Sequence, residues 1–244
     1  MTFAAISYDI KPGFDEEVAE IFSPANFKRA SSPVIRNGAR KVVGHIIGTG
    51  LFLRGDAMAR IIQYDGELDD VARHMAAQAG VHEAERAIAP YLRTPRDTQT
   101  EAGFMAYFRR STMTCLARQV YTDRPLTGIA AIVDRVAPGA APAIREILAG
   151  AWPEVTGARG GESHAALAFL GGDTLIRALV YGGDLDDVLD AIGAAGGAET
   201  ERRLAPLVIA GAGQPTATFR DAFHAKEMRC ISCLSIGMLA ARIS

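Results

Sequence analysis

The sequence predicts an α+β fold in which a ferredoxin-like β-α-β-β-α-β unit occurs twice and forms a single-chain dimeric α+β barrel. Three observations lead to this prediction: an internal repeat, the same order of strands and helices in each copy, and a globular composition. The 244 residues are 49% hydrophobic and 22% charged, a balance that favours a packed core over disorder. This length allows two domains of ordinary size.

The repeat has a period of roughly 115 residues. The matched segments are Leu53–Arg60 with Leu170–Arg177, Leu68–Val71 with Leu185–Val188, Arg86–Leu92 with Arg202–Val208, and Phe104, Phe108, Met113 and Cys115 with Phe219, Phe223, Met228 and Cys230. The offset is 117 for Gly55 and Gly172 and 115 for Cys115 and Cys230, a drift that small loop deletions would cause. We therefore predict two domains, residues 1–122 and 123–244.

Each copy is predicted to open with a strand and an amphipathic helix. Phe3–Ile10 and Ile129–Val136 are rich in β-branched and aromatic residues, as strands are, and a Pro-Gly turn follows each. In Asp15–Phe22 and Ala141–Leu148, apolar residues recur at spacings of three and four. That spacing is typical of a helix with one buried face.

A hairpin is predicted next in copy one. After a polar, basic loop, Val42–Leu53 and Ala57–Tyr64 have the composition of strands. Gly55 lies in the tight turn between them, where glycine tolerates a positive φ. A helix is predicted to begin at Asp69 or Asp70, because negative charge is favourable at a helix N-terminus.

The rest of the copy completes the predicted order. The helix is expected to break at Gly80, a second short helix to carry Glu83–Ala89, and Met113–Val120 to form the last strand. The resulting β-α-β-β-α-β order forms an antiparallel sheet with helices on one face. Two such units would most simply pack sheet against sheet.

Charge and composition exclude several classes of partner. A net charge of −2 argues against nucleic acid, which requires concentrated positive charge. No apolar run approaches the ~18 residues of a membrane span. Met1–Gly13 has Asp9 where a signal peptide would be apolar, and three cysteines without such a signal indicate a reduced cytoplasm. We expect a cytoplasmic monomer or homodimer without nucleic-acid or membrane partners.

Motifs for metals and cofactors are weak. Cys230 and Cys233 have redox or zinc spacing, but no second cysteine pair exists and Cys115 takes the matching core position in copy one. In an extended strand the two thiols would also face opposite ways. The Gly-x-Gly at Gly211 and Gly213 does not lie within a βαβ unit. We therefore expect no disulfide, no metal and no cofactor.

An arginine occupies the middle of the returning hairpin strand in both copies. Met58, Arg60 and Tyr64 share one face of this strand, and Arg177 is the counterpart of Arg60. Since unpaired burial of the charge is costly, each arginine either anchors oxygens of a flat hydrophobic ligand or forms a salt bridge to a neighbouring helix. The candidate ligand contacts are Tyr64, Met58, Arg177 and Trp152. Trp152 also fits a packing role at a helix end.

Two histidines are candidate proton-transfer groups near neutral pH. His74 lies on the helix that would cover the sheet, and copy two has Ala191 at the matching position. His45 lies on the long strand and could reach the same cavity. The alternatives are a hydrogen-bonded helix histidine and a sheet-surface histidine, respectively. His82 and His224 are expected to be solvated.

Several stretches of copy one carry a family resemblance. They are Leu53–Arg60, Asp70–Ala76, Gly80–Arg86 continuing to Pro90–Leu92, and Phe108–Arg110 before Met113. Together they resemble the SchA/CurD-like proteins, which are encoded in clusters for aromatic polyketides and spore pigments. A weaker similarity, at Val18–Phe22 and Pro90–Leu92, is to polyketide cyclases of the tetracenomycin type, which have the dimeric ferredoxin-like fold.

The resemblance implies an enzyme acting on an aromatic polyketide, a small-molecule substrate, and most simply a cyclase. Arg60 or Arg177 would then stabilise an enolate oxygen and His74 would move protons. Two alternatives stay open: a cofactor-independent monooxygenase that oxidises an anthrone-like polyphenol, and a non-catalytic auxiliary subunit. Polyketide synthase components are the expected protein partners in the last case.

Overall fold

The computed structural model describes residues 2–27, 32–122, 128–150, 152–156, 160–209 and 218–235. The chain divides into two compact units, Met1–Met113 with Arg229–Ser244 (unit 1) and Thr114–Met228 (unit 2). Within the described ranges, no helix is long and apolar enough to cross a membrane.

Strands and helices alternate along the described chain. The strands are β1 (Thr2–Asp9), β2 (Val34–Arg36), β3 (Val42–Arg54), β4 (Ala57–Asp65), β5 (Thr114–Val120), β6 (Gly128–Arg135), β7 (Glu162–Gly171), β8 (Thr174–Gly182) and β9 (Arg229–Ser235). The α-helices are α1 (Asp15–Ile21), α2 (Leu68–Ala76), α3 (Ala79–Ile88), α4 (Glu101–Ser111), α5 (Ala141–Leu148), α6 (Leu185–Ile192), α7 (Ala198–Leu204) and α8 (Phe219–His224). Short turns of other helical types occupy Ala89–Tyr91, Gly193–Gly197 and Ala205–Leu207.

Each unit is built on one antiparallel sheet. In unit 1, β4 lies between β1 and β3, and both β2 and β9 pair with β3. In unit 2 the order is β5-β7-β8-β6. Helices cover one face of each sheet, and the core lies between them. The predicted fold class, an α+β architecture of duplicated ferredoxin-like units, is confirmed.

The hairpin turns have the predicted chemistry. Gly55 joins β3 to β4 with a φ of 56°, and Gly172 joins β7 to β8 with a φ of 60°. Alternate residues of β4 then face the helices, among them Met58, Ile62 and Tyr64. Arg60 has the same parity and therefore shares this helix-covered face.

The last strand of each repeat lies in the sheet of the other repeat. Thr114 of β5 pairs with Leu170 in unit 2, and Arg229 of β9 pairs with the matching Leu53 in unit 1. The compact units and the sequence repeats therefore divide the chain at different places. The boundary between residues 122 and 123 stays a proposal about the repeat.

Three local predictions were incomplete. Helix α4 lies where a polar connector was expected; Thr100 caps it by accepting from the Gly103 N–H, and Phe104 and Phe108 pack into the core. Gly80 lies inside α3, because the helical break falls at Ala77 and Gln78 instead. The short strand β2, which pairs with the start of β3, was also missed.

The expectation for the cysteines was wrong. Cys230 and Cys233 form a disulfide. Phe52 pairs with Cys230 whereas Leu51 pairs with Ser232, so Ile231 is the extra residue of a β-bulge. A bulge shifts the alternation of side chains by one residue, and both thiols can then face the same side.

Cys115 was also predicted incorrectly. This cysteine is free and exposed rather than part of the core. Strand β5 has a bulge at Leu116 that matches the bulge at Ile231. Cys115 stays free because Arg118 stands at the position that matches Cys233.

Candidate functional site

Arg177 is buried in a network of charges on the helix-covered face of the unit 2 sheet. Its side chain is 1% exposed and lies 2.8 Å from Asp134 of β6. Glu201 of α7 binds the same guanidinium, with Nη2 3.0 Å from Oε2. Lys226 lies 2.8 Å from Asp134 and 3.4 Å from Glu201. The salt bridge to a helix, one of the two interpretations of the sequence, is therefore present.

The ion pairs of the network favour the charged forms of Arg177, Asp134 and Glu201. Burial alone would raise the pKa of Asp134 and Glu201, but the positive charge of Arg177 lowers both overall. Burial alone would lower the pKa of Arg177, yet Glu201 and Asp134 raise it. Arg177 and the half-buried Lys226 thus neutralise Asp134 and Glu201, as the burial of Arg177 and Asp134 requires.

Arg60 has a different environment in unit 1. It is 8% exposed, and Nη1 donates to the Thr49 hydroxyl at 3.4 Å. Its Nε has no hydrogen-bond partner, and no carboxylate in the described ranges lies within ion-pair distance of it. A buried cation without a counter-ion is unfavourable, so this guanidinium is suited to receive an anionic oxygen.

Sequence changes at two matched positions, and a change of partner at a third, account for this difference. Tyr8 takes the place of Asp134, since Tyr8 pairs with Met58 as Asp134 pairs with Leu175. Thr49 takes the place of an alanine in β7, and it supplies the hydroxyl that Arg60 binds. The glutamate of α7 has a counterpart in α3, but that residue pairs with another arginine.

That counterpart is Glu85, whose partner is Arg96. The carboxylate and guanidinium lie 2.7 Å apart, and their side chains are 7% and 4% exposed. The Arg96 guanidinium carbon is 3.9 Å from the ring centroid of Tyr107 and 4.8 Å from that of Tyr8, distances at which cation–π attraction operates. Tyr107 donates to the Ser7 carbonyl at 3.2 Å, and its burial raises its pKa.

Met58 and Tyr64 flank Arg60 on β4. Both are buried in the core of unit 1, with Met58 packed near the hairpin and Tyr64 toward the other end of the strand. Their positions give Arg60 an apolar neighbourhood, as the alternation of the strand predicted. Their roles as ligand contacts stay predictions.

His74 lies on α2, the helix that covers this sheet. The buried stripe of α2 contains Val71, Ala72 and Ala76, and His74 lies half-buried at its flank. Its Nε2 is 3.1 Å from the carbonyl of Ser32. Because a carbonyl oxygen only accepts, Nε2 donates and Nδ1 is the basic nitrogen of the neutral ring.

His45 does not join Arg60. It is directly opposite Asp65 in the β3–β4 pair, and its Nδ1 lies 3.2 Å from the Asp65 carboxylate. Asp65 has the opposite parity to Arg60 along β4 and lies five residues away, ~17 Å along the strand. His45 is also 41% exposed, as the sheet-surface interpretation expected.

Trp152 and Arg177 lie together in unit 2. The guanidinium carbon is 5.8 Å from the indole centroid, and the ring packs against Phe219 and Phe223. The indole Nε1 and the Arg177 Nε have no hydrogen-bond partner. A cavity of about 10 Å³ adjoins both residues, near the lower limit for one water molecule. Their ligand-binding roles stay predictions.

His82 and His224 serve as structural ties. His82 is half-buried rather than fully solvated: Nδ1 lies 3.0 Å from the Thr98 carbonyl and Nε2 lies 2.6 Å from the Ala76 carbonyl. His224 is exposed and lies between Glu227 and Asp186. The hydrogen bond to Glu227 raises the pKa of His224.

A surface cleft of about 680 Å³ lies between α1 and α3 in unit 1. Its walls are acidic, with Glu16, Glu17, Glu20 and Glu83, and Phe27 is among its apolar lining. None of the residues predicted for the site lines this cleft.

Sequence reasoning missed Thr49, Glu85 and Arg96. The recurrence of a glutamate one residue before the matched Arg86 and Arg202 was a usable signal for Glu85. Thr49 and Arg96 have no repeated pattern, and only the folded chain brings each to its partner. Among the described residues, no group of three His, Cys, Asp or Glu side chains is arranged as a metal site.

Comparison with known proteins relates copy one to a family. The model of the SchA/CurD like domain matches residues 1–121. The 42.8 kDa protein in the whiE locus of Streptomyces coelicolor is 28% identical over 120 residues, which are 49% of this chain and 28% of that protein. Polyketide synthase CurD of Streptomyces cyaneus is 28% identical over 116 residues, 46% of this chain and 29% of that protein. The matches thus span less than a third of each relative.

Among solved structures, a candidate monooxygenase from Fusobacterium nucleatum has a TM-score of 0.48 and 8% sequence identity, with 96% of this chain and 94% of that chain covered. A likeness at this level says nothing about chemistry. The family match, in contrast, covers the copy that contains Arg60 and His74. The chain therefore belongs to the SchA/CurD-like family, through a domain that spans residues 1–121.

Proposed function

We propose that this protein is a cytoplasmic enzyme that acts on an aromatic polyketide intermediate, and that it is a cyclase. Membership of the SchA/CurD-like family supports the pathway, and one relative is named as a polyketide synthase. The reaction is proposed from the chemistry of unit 1. Ring closure by aldol addition requires a carbon acid to lose a proton and the resulting enolate to be stabilised.

The observation that carries the proposal is the state of Arg60. Its guanidinium is buried, bound to one neutral hydroxyl and free of any described counter-ion. An enolate or phenolate oxygen would satisfy the charge and the unpartnered Nε together. Such preorganised donors stabilise the charge that develops in a transition state.

His74 is the proposed proton shuttle. Its Nε2–H is held by the Ser32 carbonyl, which fixes the ring and leaves Nδ1 to accept a proton. The enolate carbon would attack a ketone of the same chain, and the new alkoxide would take the proton back. Loss of water then gives the aromatic ring, so no net oxidation is needed.

The test is to delete the gene in a producing strain and to complement it with variants, followed by mass spectrometry of the metabolites. Deletion should accumulate an intermediate heavier by water or an isomer with a different ring pattern. Arg60→Gln should form product about 10²-fold more slowly than wild type, and His74→Ala should cause a similar loss. The exposed Arg202, which pairs with Glu199, gives the control variant Arg202→Gln.

Other outcomes have definite meanings. An intermediate that lacks one oxygen would favour the monooxygenase, since Arg60 could equally hold the phenolate of an anthrone-like substrate. Lower yield of an unchanged product would favour an auxiliary subunit of the synthase. Wild-type product from Arg60→Gln would refute the role of Arg60.

A further inference from the structure

The two copies differ in the charge balance of their buried clusters. In unit 2 the strand arginine and a lysine are balanced by two acids, Asp134 and Glu201. The matched positions in unit 1 hold Arg60, Ser111, Tyr8 and Glu85. One acid therefore remains in unit 1 that an arginine at the strand position could bind.

Position alone would pair Arg60 with Glu85. Arg177 shows that an arginine at this position of the sheet reaches a glutamate at this position of the helix. The strand registers around the two arginines are equivalent, since Arg60 pairs with Ile6 and Arg177 pairs with Ile132. Arg60 nevertheless binds Thr49 instead.

Arg96 explains why. The Arg96 guanidinium lies 2.7 Å from the Glu85 carboxylate. It also lies over the rings of Tyr107 and Tyr8, which fix its position by cation–π contact. Tyr8 is the residue that replaces the second acid of copy two. Residues 208–218, the matching connector of copy two, contain no arginine or lysine, so this connector supplies no counterpart of Arg96.

We propose that Arg96 is a positioning residue, which binds Glu85 and thereby keeps Arg60 free for an anionic oxygen of the ligand. The cluster of Arg60, Arg96 and Glu85 in unit 1 then carries one positive charge in excess, whereas the cluster of unit 2 is neutral. The excess selects an enolate or phenolate over a neutral ketone. The part of this inference that concerns the ligand rests on the proposed function; the competition of two arginines for Glu85 does not.

The first test is a crystal structure of the full-length Arg96→Met variant. Without Arg96, the guanidinium of Arg60 should leave Thr49 and lie within ion-pair distance of the Glu85 carboxylate. An Arg60 that stays on Thr49 while Glu85 is unpaired would overturn the proposal. This readout needs no substrate, so it is independent of the proposed function.

The second test uses complementation of the producing strain. Arg96→Met should lower product formation as far as Arg60→Gln does, about 10²-fold. The double variant Glu85→Gln/Arg96→Met should recover to within about threefold of wild type, because no acid is left to capture Arg60. A double variant that folds but stays as inactive as Arg60→Gln would overturn the positioning role, even if the single variant fails to fold. A wild-type rate for Arg60→Gln would instead count against the proposed function.

Discussion

Arg60 and Arg177 occupy the same position of two related sheets, and both are buried, yet their electrostatic states are opposite. Arg177 is bound by two carboxylates, whereas Arg60 binds one hydroxyl and has no carboxylate partner in the described part of the chain. The residue that the repeat preserves is therefore not what distinguishes the copies. The difference arises from neighbours such as Tyr8, Thr49 and Arg96, so a buried arginine indicates a ligand site only when its counter-ions are absent.

The comparison is tested most strongly by removing each arginine's charge. Arg177→Met would leave Asp134 and Glu201 buried without a partner, so we expect it to lower the free energy of unfolding by about 3–5 kcal/mol. Arg60→Met removes a cation that has no carboxylate partner among the described residues, and it should cost about 1 kcal/mol or less. Urea unfolding of both variants measures the two values. Equal losses would contradict the assignment of a structural role to one arginine and a ligand role to the other.

The helix that follows each hairpin offers a smaller contrast. Asp184 caps α6 by accepting from the N–H groups of Asp186 and Asp187, whereas Glu67 precedes α2 without a side-chain cap. Asp184→Ala should cost about 1 kcal/mol, and Glu67→Ala should cost little. Thermal unfolding of the two variants measures these losses of stability. A larger loss from Glu67→Ala than from Asp184→Ala would contradict the assignment of the side-chain cap to α6 alone of the two helices.

The smallest effect concerns the ion pairs that join α8 to α6 and α4 to α2. His224 lies 2.8 Å from Asp186, and in unit 1 the matching Arg109 lies 2.6 Å from Asp69. The pKa of His224 is raised, mainly by the hydrogen bond to Glu227. Its stabilisation is therefore fully present below its unfolded pKa of about 6.5 and is lost as pH rises through the folded pKa.

His224→Gln should accordingly destabilise the protein more at pH 6 than at pH 8.5. The ring is 38% exposed, so solvent screening limits the effect to about a few tenths of a kcal/mol. Arg109→Gln is the control, because arginine stays charged throughout this range and its contribution should not change with pH. Parallel thermal unfolding at both pH values measures the contrast. A His224→Gln effect that is the same at both would argue against the charged pair.

Much of the fold followed from periodicity. The bounds of α5, Ala141–Leu148, were predicted to the residue, because its apolar spacing is regular and a Pro-Gly turn precedes it. Helix α4 was missed because its core contacts, Phe104 and Phe108, lie beyond a connector with no hydrophobic period of its own. The bulge at Ile231 was also invisible, since pairing with β3 creates it.

The site was harder to predict than the fold. Strand alternation placed Arg60 on the helix-covered face, but it could not distinguish Arg60 from Arg177. Their difference depends on contacts with Thr49 and on the competition for Glu85. Both involve residues far apart in the chain, whose proximity no local pattern encodes.

Because β9 completes the sheet of unit 1 and β5 completes that of unit 2, each repeat lends the other a strand. Loss of one copy from the gene would leave the surviving sheet with a bare edge at β3 or β7, and bare edges promote aggregation. Mutation can therefore replace single side chains of copy two, as when Ala191 stands where copy one has His74, whereas loss of the whole copy would expose a sheet edge. A half without a site of its own would still be inherited as an obligate folding partner.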